Sequence, residues 1–211
     1  HDRSVTAASE AARQSFEAFA AERSVDSEWL VVNGDTDGPL IDLARRFGLT
    51  VMPIRGRPIL SENVVTAAGI ALSSGGPVLA LPDSGYPVDL GRRVMVAWKN
   101  SRESARALRD AWPLLTAAED VHVVCVSQDG ELSPDGDLQR HFERHGIRAK
   151  LTVTTDAAMP PSEALRREAA ALNADLIVMG VYGRSRLSEV VFGGVSGELL
   201  ARPPAAFLFA H

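Results

Sequence analysis

Apolar positions along the chain switch between two periods, and the switches mark out its elements. In the C-terminal half the run Val94-Met95-Val96-Ala97-Trp98 is short and apolar, as a buried strand is. Ser101 precedes a helical pattern at Ala105, Leu108, Ala111, Trp112 and Leu115, and is placed to cap it. Val121 to Val126 forms a second strand. A helix from about Leu138 to His145 follows, with Gly146 as its stop signal. Ala149 to Thr155 alternates as a third strand. Pro160-Pro161-Ser162-Glu163 opens a helix with Leu165, Ala169 and Leu172 on one face. Asp175 to Gly180 is a fourth strand of the buried type, Val195 to Ala201 a last helix, and Ala205 to Phe209 a fifth strand. Strands alternating with helices predict an α/β domain with a parallel sheet and right-handed crossovers.

The N-terminal half repeats part of this order. It reads as a helix over Thr6–Arg23, a strand over Glu28–Asn33, a helix over Pro39–Phe47 and a strand over Leu49–Ile54. A helix near Glu62–Leu72 and a strand over Pro77–Pro82 complete it. Leu49-Thr50-Val51-Met52 parallels Leu176-Ile177-Val178-Met179, an internal repeat that divides the chain into 1–83, a Pro/Gly/Ser-bearing linker at 84–91, and 92–211. The first copy holds equivalents of strands three, four and five only. Because strand one of a doubly wound sheet lies centrally, this predicts on the order of 60 residues upstream of His1. The alternative is a smaller, rearranged module.

Composition narrows the class. With 22 Lys and Arg against 27 Asp and Glu, the net charge is −5, so the basic field of a nucleic-acid binder is absent. The pairs Arg45-Arg46, Arg92-Arg93 and Arg166-Arg167 read as solvated faces. The single cysteine, Cys125, lies in an apolar strand as a small buried hydrophobe. No apolar run reaches membrane-helix length. A lone thiol and no sorting segment predict a cytoplasmic protein.

Candidate chemistry is concentrated in Gly180-Val181-Tyr182-Gly183-Arg184-Ser185-Arg186-Leu187-Ser188-Glu189-Val190-Val191-Phe192-Gly193-Gly194-Val195-Ser196. This segment leaves the carboxyl end of a strand and enters a helix, where open α/β sheets bind ligands. Glycines admit a close backbone approach, and the amides opening the last helix attract anions. The spacing Gly180-x2-Gly183-x9-Gly193 at this junction resembles the universal stress protein family, as do Leu176-Ile177-Val178-Met179 and Ala206-Phe207-Leu208-Phe209.

That resemblance implies two Rossmann-like domains in tandem, of the adenine nucleotide α-hydrolase kind, with strand order 3-2-1-4-5 in the second. It also implies a stress-response module that binds ATP, with Mg²⁺ accompanying it. Carried over by position, the contacts are Ala97, Trp98 and Lys99 after strand one and Val126 on strand two. In the glycine segment they are Met179, Gly180, Tyr182, Gly183, Arg184, Gly193, Gly194, Val195 and Ser196. Two positions depart from the family. Lys99 stands where an acid often contacts the nucleotide, and Gly194 replaces a Ser or Thr that touches phosphate. Relatives also pair their last strands across a two-fold axis, which implies pairing of 77–82 with 205–209 inside this chain, or a homodimer.

Other signals are weaker. Ser73-Ser74-Gly75-Gly76-Pro77 precedes a strand and reads as a turn. His141-Phe142-Glu143-Arg144-His145 puts two imidazoles at i and i+4, without the zincin order or a third ligand, and reads as a solvated helix face. Gly193 to Gly197 is not a nucleophile elbow, and no constellation calls for acid–base catalysis. The expectation is therefore a binding module and not an enzyme. The alternatives are a scaffold that works through protein contacts, and an adenylyl transferase, which would need a His-rich motif after strand one.

Overall fold

The computed structural model describes residues 2–32, 38–54, 66–82, 89–127, 136–155, 158–181, 183–184, 191–192 and 194–211. The chain divides into two compact units, His1–Gly34 and Asp35–His211.

In the first unit, α1 (Asp2–Glu22) begins earlier than its periodicity predicts. The ring of Phe16 meets Trp29 at a centroid distance of 5.8 Å. The expected strand at Glu28–Asn33 does not form over its described residues, 28–32, and Leu30, Val31 and Val32 stay exposed. A strand is stabilised by its neighbour, and among the described residues this segment is paired with none. Among the described residues the equivalents of strands four and five of the first copy are built.

The second unit starts with α2 (Gly38–Ala44), β1 (Thr50–Pro53), α3 (Ala67–Ser74) and β2 (Val78–Leu81). It continues with β3 (Arg93–Ala97), α4 (Arg102–Asp110), α5 (Trp112–Ala117), β4 (Asp120–Ser127), α6 (Gly136–Arg144) and β5 (Ala149–Thr155). The last elements are α7 (Pro161–Ala171), β6 (Leu176–Gly180), the short pair β7 (Gly183–Arg184) and β8 (Val191–Phe192), α8 (Gly194–Ala201) and β9 (Ala206–Ala210).

Seven strands form one sheet in the order β1-β2-β9-β6-β3-β4-β5. Its last five members are the second half's own strands in the order 5-4-1-2-3, all parallel, which is the expected 3-2-1-4-5 arrangement read from the other side. The strands of the first half, β1 and β2, continue this sheet. β2 joins β9 antiparallel, with Val78 opposite Phe209, Leu79 opposite Leu208 and Ala80 opposite Phe207. The last strands of the two copies thus meet inside one chain.

Alternation along the strands feeds two cores, one on each face. Ile177, Met179, Phe207 and Phe209 join Met95, Val124, Leu165 and Leu199 on one side. Leu176, Val178 and Leu208 join Val96, Leu108, Leu115 and Phe142 on the other. All five residues of β9 are buried, as befits a strand flanked on both edges and covered on both faces.

Local chemistry sets the element ends. Ser101 caps α4 by accepting from the Ser104 amide at 3.3 Å. The single helix expected to run through Leu115 breaks at Ala111. Pro113, in the first turn of α5, has no amide to donate and its ring crowds the carbonyl of Arg109. Gly75 closes α3 at φ 76°, a left-handed conformation that fits the turn read at Ser73–Pro77. Its carbonyl accepts from Arg106, and that of Ser73 accepts from Arg45 at 3.1 Å.

Asp175 ties the entry of β3 to the start of β6. Its buried carboxylate accepts from the amides of Gly91 (2.7 Å), Arg92 (3.1 Å) and Arg93 (2.9 Å). The three arginine pairs hold internal partners: Arg45 with Asp42, Arg92 with Glu119 and Arg166 with Glu163.

At the other extreme, among the described residues no strand pairs with the outer edge of β1. The amides of Thr50 and Ile54 donate to Pro77 (3.1 Å) and Leu81 (2.5 Å), so by alternation Val51 and Pro53 face outward. Proline offers no donor there, which blunts the edge against further strand addition. Beside it an apolar groove of about 320 Å³ runs between α2 and β1, lined by Leu40, Leu43, Phe47, Val51 and Met52.

Candidate functional site

The carboxyl tips of β3 and β6 lie side by side at the centre of the parallel array. Ala97 is paired with Met179 on one side and Val124 on the other. β4 runs beyond that level, so Val126, opposite Thr154, stands above the tip of β3. Ala97, Val126, Met179 and Val195 all pack on the same core face. The sheet therefore brings together three of the positions taken from the motif, from three neighbouring strands, and Val195 of α8 shares their core face.

Trp98 departs to the opposite face, where it packs against the second core. Its amide donates to the carbonyl of Val124 at 2.9 Å, which continues the strand pairing by one residue. Lys99 is exposed, and its amide meets the Ser104 hydroxyl at 3.4 Å. Lys99 thus lies in the turn that leads from β3 into α4.

Gly180 has a packing reason to be glycine. A Cβ built there would lie 2.6 Å from both the carbonyl carbon of Glu103 and the amide nitrogen of Ser104, closer than any real contact. The first turn of α4 rests on the tip of β6, so any side chain would push helix and strand apart. Glu103, in that turn, is buried. Burial pushes its carboxyl pKa up, but its own backbone amide, the Ser101 hydroxyl and Arg102 outweigh this and hold the group below the ordinary value.

Of the glycine segment, the backbones of Gly183 and Arg184 pair antiparallel with Phe192 and Val191, so a short hairpin follows Gly180 before α8 begins. Tyr182 and Gly193 lie outside the described residues. Gly194 opens α8 exposed, Val195 is half-buried and Ser196 is buried. A Cβ on Gly194 would meet nothing closer than a Glu198 carboxylate oxygen at 3.8 Å, so this position has room for a side chain. Glu198 accepts from the Ser162 hydroxyl on α7. A carboxylate thus already stands beside the first turn of α8, a feature that spacing in the sequence did not reveal, although Glu198 lies four residues after Gly194 and so on the same helix face.

Among the described residues no group of three or more His, Cys, Asp or Glu is poised to hold a metal ion. None of their helices is long and apolar enough to cross a membrane. Cys125 is buried and unbridged, and burial pushes its thiol pKa up.

A central parallel array, helices on both faces and a glycine-bearing connection at the crevice define a Rossmann-like α/β protein. The universal stress protein family model matches residues 91–210, and the chain belongs to that family. Among solved structures, a universal stress protein from Archaeoglobus fulgidus is similar at TM-score 0.76 and 22% identity, covering 100% of this chain and 79% of its own. A universal stress protein from Pseudomonas aeruginosa is similar at TM-score 0.60 and 17% identity, covering 95% of this chain and 77% of its own. No curated protein matches.

Proposed function

We propose that the C-terminal half binds an adenine nucleotide, with ATP as the leading candidate, and acts as a sensing module without a dedicated reaction. One observation carries the reading: the tips of β3 and β6 lie side by side at the centre of the parallel array, Ala97 level with Met179, and Val195 of α8 packs on the same core face. Ala97, Val126 and Met179 supply an apolar floor suited to a base. The first amides of α8, at Gly194, Val195 and Ser196, would supply the donors that phosphates need. Arg184 and Lys99 are the cations nearest in sequence to that crevice. Mg²⁺ would accompany the phosphates, neutralising charge between their oxygens.

Fit to the triphosphate is partial. Gly194 provides an amide but no hydroxyl, Lys99 cannot accept from a ribose hydroxyl, and Glu198 adds negative charge beside α8. These features favour weak binding suited to sensing over tight retention.

Calorimetric titration of the full chain with ATP and Mg²⁺ tests the reading. Heat of binding that disappears in a Val195→Asp variant supports it. Absence of heat at millimolar nucleotide sinks it and favours the scaffold reading.

A further inference from the structure

The pair of histidines on α6 is organised beyond what a solvated face requires. Trp112, at the start of α5, lies over both imidazoles: its ring is 5.3 Å from that of His141 and 4.3 Å from that of His145, tilted by 29° and 34°. Phe142, fully buried between them in sequence, meets Trp112 edge-on at 5.5 Å and anchors the indole to the core. Both histidines are nonetheless exposed to solvent. His145 Nδ1 lies 2.9 Å from the carbonyl of His141. A carbonyl only accepts, so Nδ1 carries the proton and Nε2 keeps its lone pair. This is the arrangement by which proteins orient metal-binding imidazoles.

The spacing of the rings fits a shared ion. Two imidazoles bound to one ion at ~2.0–2.1 Å, with an angle of about 90–110° at the ion, hold their centroids roughly 4.5–5.3 Å apart. Those of His141 and His145 are 4.8 Å apart, inclined at 62°.

We propose that His141 and His145, braced by Trp112, form a two-imidazole clamp for a divalent transition-metal ion on the outer face of α6. Imidazole nitrogens select borderline ions, and the order of affinity is Cu²⁺ above Ni²⁺ and Zn²⁺. Two protein ligands leave the remaining coordination positions to water, so the site is open and exchangeable. Arg140 and Arg144 flank the pair. Arg140 is paired with Asp137, which reduces its repulsion of a cation. The clamp is independent of the nucleotide proposal, being built from α5 and α6.

The test uses the full chain with the other imidazoles removed, as His1→Ala, His122→Gln and His211→Gln, so that only this pair remains. Titration with Zn²⁺ alone by calorimetry, and with Cu²⁺ alone by electron paramagnetic resonance, should show one ion per chain and two coupled nitrogens. His141→Ala or His145→Ala, at exposed positions, should weaken binding by roughly ten- to hundredfold, at least as much as the loss of an orienting partner does. Each should also leave a single coupled nitrogen, with the circular dichroism unchanged. No binding at millimolar ion, or binding unaltered in either single variant, overturns the clamp.

Discussion

Gly180 lies directly beneath the first turn of α4, so close that a Cβ would stand 2.6 Å from the carbonyl carbon of Glu103. This contact joins the last residue of β6 to the turn after β3, and so holds the two lips of the crevice at a fixed separation. A glycine that looks like part of a ligand motif is therefore also a packing residue.

Gly180→Ala should destabilise the protein by about 1–3 kcal/mol, the usual cost of overpacking. Gly194→Ala, where the nearest atom is 3.8 Å away, should change stability little. Urea unfolding of both variants checks the contrast. Equal stability of the two would show that α4 can shift at no cost.

The same space at Gly194 offers a gain of function. Gly194→Ser places a hydroxyl at the start of α8, and Glu198→Gln removes the carboxylate beside it. A hydrogen bond of about 1 kcal/mol corresponds to roughly fivefold tighter ATP binding for the serine variant. The glutamine variant should change affinity in the same direction, and its gain should shrink with added salt. Titration calorimetry reads both.

The role of Glu198 shows where sequence reading reached its limit. Strand order and the glycine spacing were legible because periodicity and punctuation carry them, as at Leu176–Gly180 and Ser101. The break at Ala111 was also encoded, in Pro113, but the apolar pattern on both sides of it suggested one helix. Glu28–Asn33 has a strand's composition, but its described residues, 28–32, pair with no described strand, and composition alone does not build a sheet. Positions such as Trp98, carried over as a contact yet packed on the far face, depend on a turn that no spacing rule describes.

Asp175 is a three-point polar anchor between β3 and β6. Asp175→Ala leaves three backbone amides without their acceptor, one of them on Gly91 and buried, and should cost about 3 kcal/mol or more. Denaturant midpoints check this. A loss below half that size would mean that water replaces the carboxylate.

His122 gives the fold a pH dependence. Burial first, then Lys150, lower its pKa from the ordinary 6.5, against a smaller opposing effect of Asp120. The unfolded chain therefore binds this proton more readily than the folded one, so His122's contribution is present above about pH 6.5 and is lost as pH falls through that value toward the folded pKa. His122→Gln should flatten the stability profile between pH 7.5 and pH 5.5 relative to the parent. Parallel profiles for the two proteins would show that another group titrates there.

The antiparallel seam between β2 and β9 has a consequence for assembly of the chain. Val78 and Phe209 form the pairing most distant in sequence within the sheet. During synthesis β1 and β2 emerge well before β9, whose edge receives them. Until then they are an unclaimed apolar parallel pair, and Pro53 on the outward edge of β1 guards them against neighbouring chains while they wait.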